Sequence, residues 1–489
     1  MKNNIVWFTI LLTTLLCTPG ACTPRPETVQ SADQPLVLYP EYQDVTIPCN
    51  VAPLNFLLRN EGVDALCVSV KGSTDSLQIN ARGNKAVFPL KAWHALLESE
   101  KGNTLTVTVT ARTAGRWLRH EPFTWQVVVD SVDAYISYRL IEPGYEVWNA
   151  LQIRERCIEN FDERILADNK LTGNSCMNCH VHGANSGSLS MFHLRGQGGG
   201  TMLNRNGKLR KLNIKNDEMV AAATYGDFHP HGRYAVFSTN IIIPLFHATN
   251  NHRLEVYDTV SDLIVADLDQ NRIITSPLTA DSTALETFPT FSPDGKWIYY
   301  CSAPQTQLPD SIKQLHYSLC RIAFDAEQGS WGSRVDTIWN ARLTGASVCH
   351  PKLSPDGRYL LYTVANYGTF PIWHRETDLQ LMDLQTGSIN TLQAVNSNRS
   401  DTYHGWSASS RWFAFASKRG DGQYGRIYFA YLDADGVAHK PFVLPQSNPE
   451  MDDLTLKSYN IPDLSTSPVF FDAHTIEQAY KEMEVEEFE

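Results

Sequence analysis

The chain has 489 residues and a formal net charge of −12, from 41 Lys and Arg against 53 Asp and Glu. That length exceeds one ordinary core, so the chain requires two or three folded units or one large ring-like unit. The acidic balance leaves no basic stripe to neutralise phosphates, and this excludes nucleic acid as an expected partner.

Residues 1–22, MKNNIVWFTILLTTLLCTPGAC, carry a lysine, an apolar run from Ile5 to Leu16 and then small residues. The run is too short to span a bilayer, so the segment reads as an export signal. Gly20 and Ala21 before Cys22 resemble a lipoprotein cleavage box, in which Cys22 is acylated, although Pro19 stands where leucine is usual. The alternative is ordinary signal cleavage. In either case the expected location is the periplasm or cell envelope, with a lipid anchor at Cys22 holding the chain to a membrane. Residues 23–35 are polar and proline-bearing, as a tether would be.

From residue 36 to 134 the apolar residues alternate at period two, in DVTIP, ALCVSV, TLTVTVTAR and FTWQVVVD. This pattern predicts a small antiparallel, Ig-like β-sandwich. Residues 135–197 change pattern: Trp148, Leu151, Ile158, Phe161 and Ile165 recur at spacings of three, four or seven. That spacing predicts a short helical connector leading into the segment CMNCH.

From residue 198 to 470 a repeat is visible. FHPHGRYAVFS, FSPDGKWIYYCS, LSPDGRYLLYTV and WSASSRWFAFAS align, and their turn positions Gly232, Gly295, Gly357 and Ser410 are spaced by 63, 62 and 53 residues. Each unit has a tight turn followed by an aromatic and aliphatic strand, with a second strand pair further on. Such self-similarity marks a repeat architecture, and four-stranded units around an axis make a propeller, which leaves only short, protected sheet edges. Four clear units, a degenerate one at TMLNRNGKLRKLNI and closing strands near the C-terminus predict five to seven blades. The tail 471–489 is acidic and predicts a solvated helical end.

The strongest chemical signal is CMNCH. Two cysteines three positions apart, with histidine next, have the spacing for c-type haem attachment. The thiols of Cys176 and Cys179 would add to the two vinyl groups of one porphyrin, and His180 would ligate iron as the proximal ligand. Downstream, Met191 and His193 are the candidates for a sixth ligand. Met191 would give a higher potential than His193, and Arg195 is placed to pair with a propionate. Zinc held by Cys176, Cys179, His180 or His182 is the alternative cofactor; a redox dithiol is another reading.

Ten cysteines are present, and Cys301 and Cys320, flanking a turn-rich insertion, are candidates for a disulfide. His229, His350 and His404 read as equivalent positions before the repeat turn, where structural hydrogen bonds are the expected role. No Gly-x-Ser-x-Gly elbow is present, and GQGGG lacks the Lys-Ser/Thr of a phosphate loop.

The SPDGK/R turns, each followed by an aromatic, resemble those of the TolB-like β-propeller family. With the exported N-terminus, IEPGY and CMNCH, the chain resembles Bacteroidetes proteins that combine such a propeller with a haem-attachment motif. The resemblance covers residues 200–465 and implies a mainly β fold: sandwich, connector, TolB-like propeller. It implies one covalent haem c, an electron-transfer or other haem-dependent role, and an envelope protein partner bound by the propeller. An electron carrier or binding protein is expected rather than an enzyme, with a haem enzyme as a third reading. The competing class is an envelope scaffold whose cysteine pair is structural or zinc-bound.

Overall fold

A computed structural model of the chain describes residues 25, 26, 28–142, 150–196, 198–245 and 255–489. The export segment, Cys22, Trp148 and most of IEPGY lie outside the described residues. The fold is mainly β.

Among the described residues six sheets follow one another along the chain, five of four strands and one of five. Their innermost strands are Met177–Gly183, Ala223–Phe228, Ala284–Phe291, Ser347–Leu353, Asp401–Trp406 and Ser458–Ser465. Each of these contacts the next, and the last contacts the first, so the sheets close into a ring of six blades around an axis. The ring is a β-propeller-type architecture, and six falls inside the range the repeat implied.

Closure is made by the two ends of the ring sequence. Ser458–Ser465 pairs antiparallel with Tyr135–Ile141, which then pairs with Leu151–Cys157 and that with Glu163–Asp168. The first blade therefore takes its inner strand from the C-terminal side and three strands from the N-terminal side. Numbering blades in this order, CMNCH lies at the start of the second.

Among the described residues the helical connector is not found. Residues 135–197 supply three strands of the first blade and, in Met177–Gly183 and Ser186–Leu194, two of the second, with one short 3-10 turn at Asn169–Leu171. Leu151 and Ile153 are buried in alternation along LQIRERC. The apolar spacings of three and four arose because a β-bulge and two turns shifted a period-two pattern out of phase.

The repeat turns join the first and second strands of blades three to six. In each, the turn residue donates its backbone N–H three residues back: Gly232 to His229, Gly295 to Ser292, Gly357 to Ser354 and Ser410 to Ser407, at 2.7–2.9 Å. The glycines have φ of 71–72°, and Ser410 adopts 58° without being glycine. The fourth unit has thus lost the Pro-Asp-Gly residues but kept the geometry, at the strain cost of a side chain in the left-handed region.

The N-terminal unit has a seven-stranded and a three-stranded sheet with one helix, Leu90–Ser99, whose Trp93, Leu96 and Leu97 are buried. It is not a purely antiparallel sandwich: Phe123–Val128 pairs in parallel with Val45–Pro48, and Val29–Ser31 pairs in parallel with Arg116–Arg119. Residues 29–31 are therefore docked rather than part of a free tether.

This unit is fused to the ring. Trp93, Trp125 and Phe88 belong to the same core cluster as Trp412, Phe429 and Phe442 of the sixth blade. Trp412 donates from Nε1 to the Asp130 carbonyl at 2.9 Å, and Tyr431 donates to the Asp130 carboxylate at 2.7 Å. Asp133 accepts from the Ser407 hydroxyl, the Ala408 N–H and the Asn185 amide, linking the linker to blades six and two.

The acidic tail is also structured. Helix Ala473–Glu482 buries Ile476 and Ala479, and Glu486–Glu487 then adds a fifth strand to the second blade, parallel to Lys208–Asn213. Glu486 is paired with Arg210 at 2.5 Å, and Phe488 is buried. Cys301 and Cys320 do not bridge. Cys301 lies opposite Leu319 and Cys320 opposite Tyr300, so the two thiols are on opposite faces of the blade and enter different cores.

Because one core joins the N-terminal unit and the ring, calorimetry should show a single unfolding transition. Trp412→Ala should lower stability by about 3–5 kcal/mol, the cost of emptying a fully buried indole site, and shift that transition as a whole. Two resolved transitions in the wild-type protein would show instead that the units are independent.

Candidate functional site

Every inner strand carries one extra residue at the same depth. The ladder shifts beside Cys179, Tyr225, Phe288, His350, Tyr403 and Ile461, one in each blade. All six have positive φ, from 45° to 59°. None is glycine, so each costs on the order of 1 kcal/mol or more in backbone strain, and the recurrence in all six blades makes the strain a property of the ring. A bulge releases its residue from the sheet's alternation and lets its side chain face the axis. In three blades the next residue is Pro289, Pro351 or Pro462, which has no N–H to leave unpaired beside the bulge.

The six side chains form a collar at the axis. Ring centroids run Tyr225 to Phe288 at 4.8 Å, Phe288 to His350 at 4.1 Å and His350 to Tyr403 at 4.8 Å. The collar was visible in the repeat, since four of its members lie seven residues before the turn positions 232, 295, 357 and 410, and all four are aromatic or imidazole. The turns are the more conspicuous part of the repeat, because Pro-Asp-Gly recurs there while the column seven residues upstream varies between Tyr, Phe and His.

The collar faces a cavity of about 710 Å³, within the range of small-molecule and cofactor sites. Cys176, Cys179 and His180 all line it, together with Arg139 and Arg195. CMNCH is thus on the axis, on the inner strand of the second blade, rather than in a helix between domains. Extra walls come from Ile242 and Val256, on the long hairpin of the third blade, and from the Phe370–Trp373 stretch of the fifth. Glu255 on that hairpin accepts from Tyr367 at 2.5 Å and contacts His374 at 3.2 Å, tying the third blade to the fifth across the mouth.

The thiols are free. Burial pushes Cys179 up to about 11 and raises Cys176 as well, against the opposing pull of the Arg195 and Arg139 charges. They are therefore protonated at neutral pH, unlike the thiolate of a redox-active dithiol. His180 is 7% exposed, and neither ring nitrogen makes a well-aligned hydrogen bond, although the Ser137 backbone is close enough to act on its charge. Burial lowers it to about 4, with the Asp463 carboxylate opposing. Arg195 Nε is likewise buried without a partner. A buried imidazole with both nitrogens open is costly unless a further group occupies the site.

The other sequence candidates lie beside the motif but off the large cavity: Met191 and His193 share a small pocket of about 10 Å³ with Cys179. Met191 and His193 lie on Ser186–Leu194, one strand outward, and neither lines the large cavity. Met191 packs with Leu203 and Phe237 in the core between blades two and three, and His193 Nδ1 is 3.2 Å from the Thr201 hydroxyl. His182 shares a hydrogen bond with the Ser137 hydroxyl at 2.7 Å, and its backbone N–H donates to Asp463. Among the described residues no three His, Cys, Asp or Glu side chains are grouped as a metal ion alone would require.

The three propeller histidines are not equivalent. His350 is the collar residue of its blade, His404 is one position past the collar, and His229 lies outside the cavity lining, with its ring 5.0 Å from that of Phe291. Their offsets from the turn positions are seven, six and three residues, so the repeat does not superpose them.

No family model matches the chain, and no curated protein sequence matches it. Among solved structures, similarity is found to an oligogalacturonate lyase in complex with manganese, at 10% identity and TM-score 0.35, over 64% of this chain and 74% of that one. A second is the tricorn protease, at 12% identity and TM-score 0.35, over 80% of this chain but only 39% of that one. With both TM-scores at 0.35, neither likeness bears on what this chain does.

Protein made without haem maturation should show the thiol burial directly. Because a thiol whose folded pKa is raised stays neutral until pH approaches that value, alkylation of Cys179 should be slow at pH 7–8 and accelerate toward pH 11. Peptide mass mapping against pH checks this, with denatured protein as the reference. Rapid labelling of the folded protein at pH 7 would contradict the burial.

Proposed function

We propose that the chain is an exported, lipid-anchored c-type haem protein that carries or relays electrons, with the outer surface of the ring recognising an envelope protein partner. The observation that supports this best is the coincidence of both CMNCH thiols, an imidazole with two open nitrogens and a cofactor-sized cavity at one place on the ring axis.

Cys176 and Cys179 would hold the group, each S–H adding across one vinyl C=C with no leaving group and no oxidant. His180 would ligate the iron through its neutral imidazole, the form its burial favours. Arg195, whose Nε has no partner, and Arg139, whose Nε donates to Asn460 at 3.0 Å, supply the cations for propionates. When bound, the haem supplies a one-electron iron couple. The chain's own contribution is to exclude water with Phe288, Tyr225 and Tyr403, and a dry, apolar shell sets the potential. TolB-like rings and the Bacteroidetes haem-motif resemblance suggest the protein partner; Cys22 would supply the membrane anchor.

The second reading is an envelope scaffold in which Cys176 and Cys179 stay as buried thiols or bind zinc. One experiment separates the two. Co-expressed with haem-maturation machinery, the full chain should keep haem through denaturing electrophoresis and gain one haem in intact mass. Cys176→Ala with Cys179→Ala should abolish the covalent haem. A colourless wild-type product of polypeptide mass, with or without zinc by elemental analysis, would overturn the proposal in favour of the scaffold.

A further inference from the structure

We propose that His350 is the second axial ligand of the iron, opposite His180, so that the site is a bis-histidine one. The inference rests on the haem reading above and names a residue that neither the motif nor its flanking sequence suggests.

The argument begins with ring order. The inner strands are arranged second, third, fourth, fifth, sixth, first, each touching the next. The fifth blade is three places from the second in either direction, so Ser347–Leu353 faces Met177–Gly183 across the axis. At the bulge of the second blade stand Cys179 and His180. At the bulge of the fifth stands His350. A group anchored on one side at Cys179 and His180 therefore meets the fifth blade on its far side.

The chemistry of the competing side chains narrows the choice. His404, also in the lining, has Nε2 committed to the Leu361 carbonyl at 2.9 Å; its Nδ1 is open like that of His350, but it stands one residue past the bulge of its blade, whose collar position is Tyr403. Met191 and His193 are outside the cavity altogether. Lys352 donates to Asp227 at 3.2 Å. His350 lines the cavity, and its buried Nδ1 has no hydrogen-bond partner.

Its ring is also held in place. Phe288 packs at 4.1 Å on one side and Tyr403 at 4.8 Å on the other. An imidazole fixed between two aromatic rings loses little further freedom on binding iron, which is the preorganisation a second ligand needs. Coordination then forms one nitrogen–iron bond, with no proton or electron transferred.

The test uses the full chain carrying covalent haem, with intact mass confirming the load and absorption spectra recorded in ferric and ferrous forms. The wild-type protein should be six-coordinate low-spin in both, and its ferrous form should resist carbon monoxide. His350→Ala should keep the haem by mass but become high-spin and bind carbon monoxide readily. His350→Met should stay low-spin with a raised midpoint potential, since a thioether favours the reduced iron, and this variant reads out even if the alanine protein fails to fold. Met191→Leu and His193→Gln should leave the spectrum at wild type.

A low-spin spectrum unchanged in His350→Ala, an unshifted potential in His350→Met, or a high-spin wild-type protein would overturn the assignment while leaving the haem reading intact. Absence of covalent haem from the wild-type protein would remove both.

Discussion

The pairing of Ser458–Ser465 with Tyr135–Ile141 is the constraint on which the rest depends. It joins segments more than 300 residues apart by backbone hydrogen bonds, giving the first blade its inner strand and closing six sheets into a ring. Without it Ser458–Ser465 would have no partner strand, the first blade would lack its inner strand and the axis would open to solvent. Closure brings the six bulges to one depth, and only then do Cys179, Tyr225, Phe288, His350, Tyr403 and Ile461 become neighbours. The same strand contributes Asp463, which accepts from the His182 backbone and sits close enough to His180 to affect its charge.

The ring also explains the electrostatics of the site. Hydrophobic and aromatic walls withdraw Cys176, Cys179, His180 and His350 from water, and burial is the leading cause of every pKa shift among them. Each group is pushed toward its neutral form, as a thiol or an imidazole. Those are the forms in which sulfur can add to a vinyl group without forming a disulfide and nitrogen can donate to iron. Arg139 and Arg195 supply the positive charge at the same cavity, so the site combines a neutral interior with cationic groups in its lining.

Parts of this were legible in the chain and parts were not. The four repeat turns located the blades because each turn is a local event, decided by a Pro-Asp-Gly or its equivalent within five residues. The strands of the first blade carry helix-like apolar spacings because turns and a bulge break the alternation of LQIRERC and its neighbours. Six glutamates made the tail look solvated, yet Ile476, Ala479 and Phe488 bury one face and Arg210 neutralises Glu486. The N-terminal strands were recognised, but their parallel pairings and shared core with Trp412 involve partners 80 to 300 residues away, beyond any window of local pattern.

The sequence by itself determined the covalent chemistry open to the protein, because Cys176, Cys179 and His180 are contiguous and their spacing is independent of the fold. It also determined that the chain is built from repeated β units. Tertiary structure alone decided which side chains meet that motif. The collar residues are separated by about fifty residues or more, and each faces the axis because a strained bulge turns it there. That meeting is a product of ring closure, which has no signature at any single position.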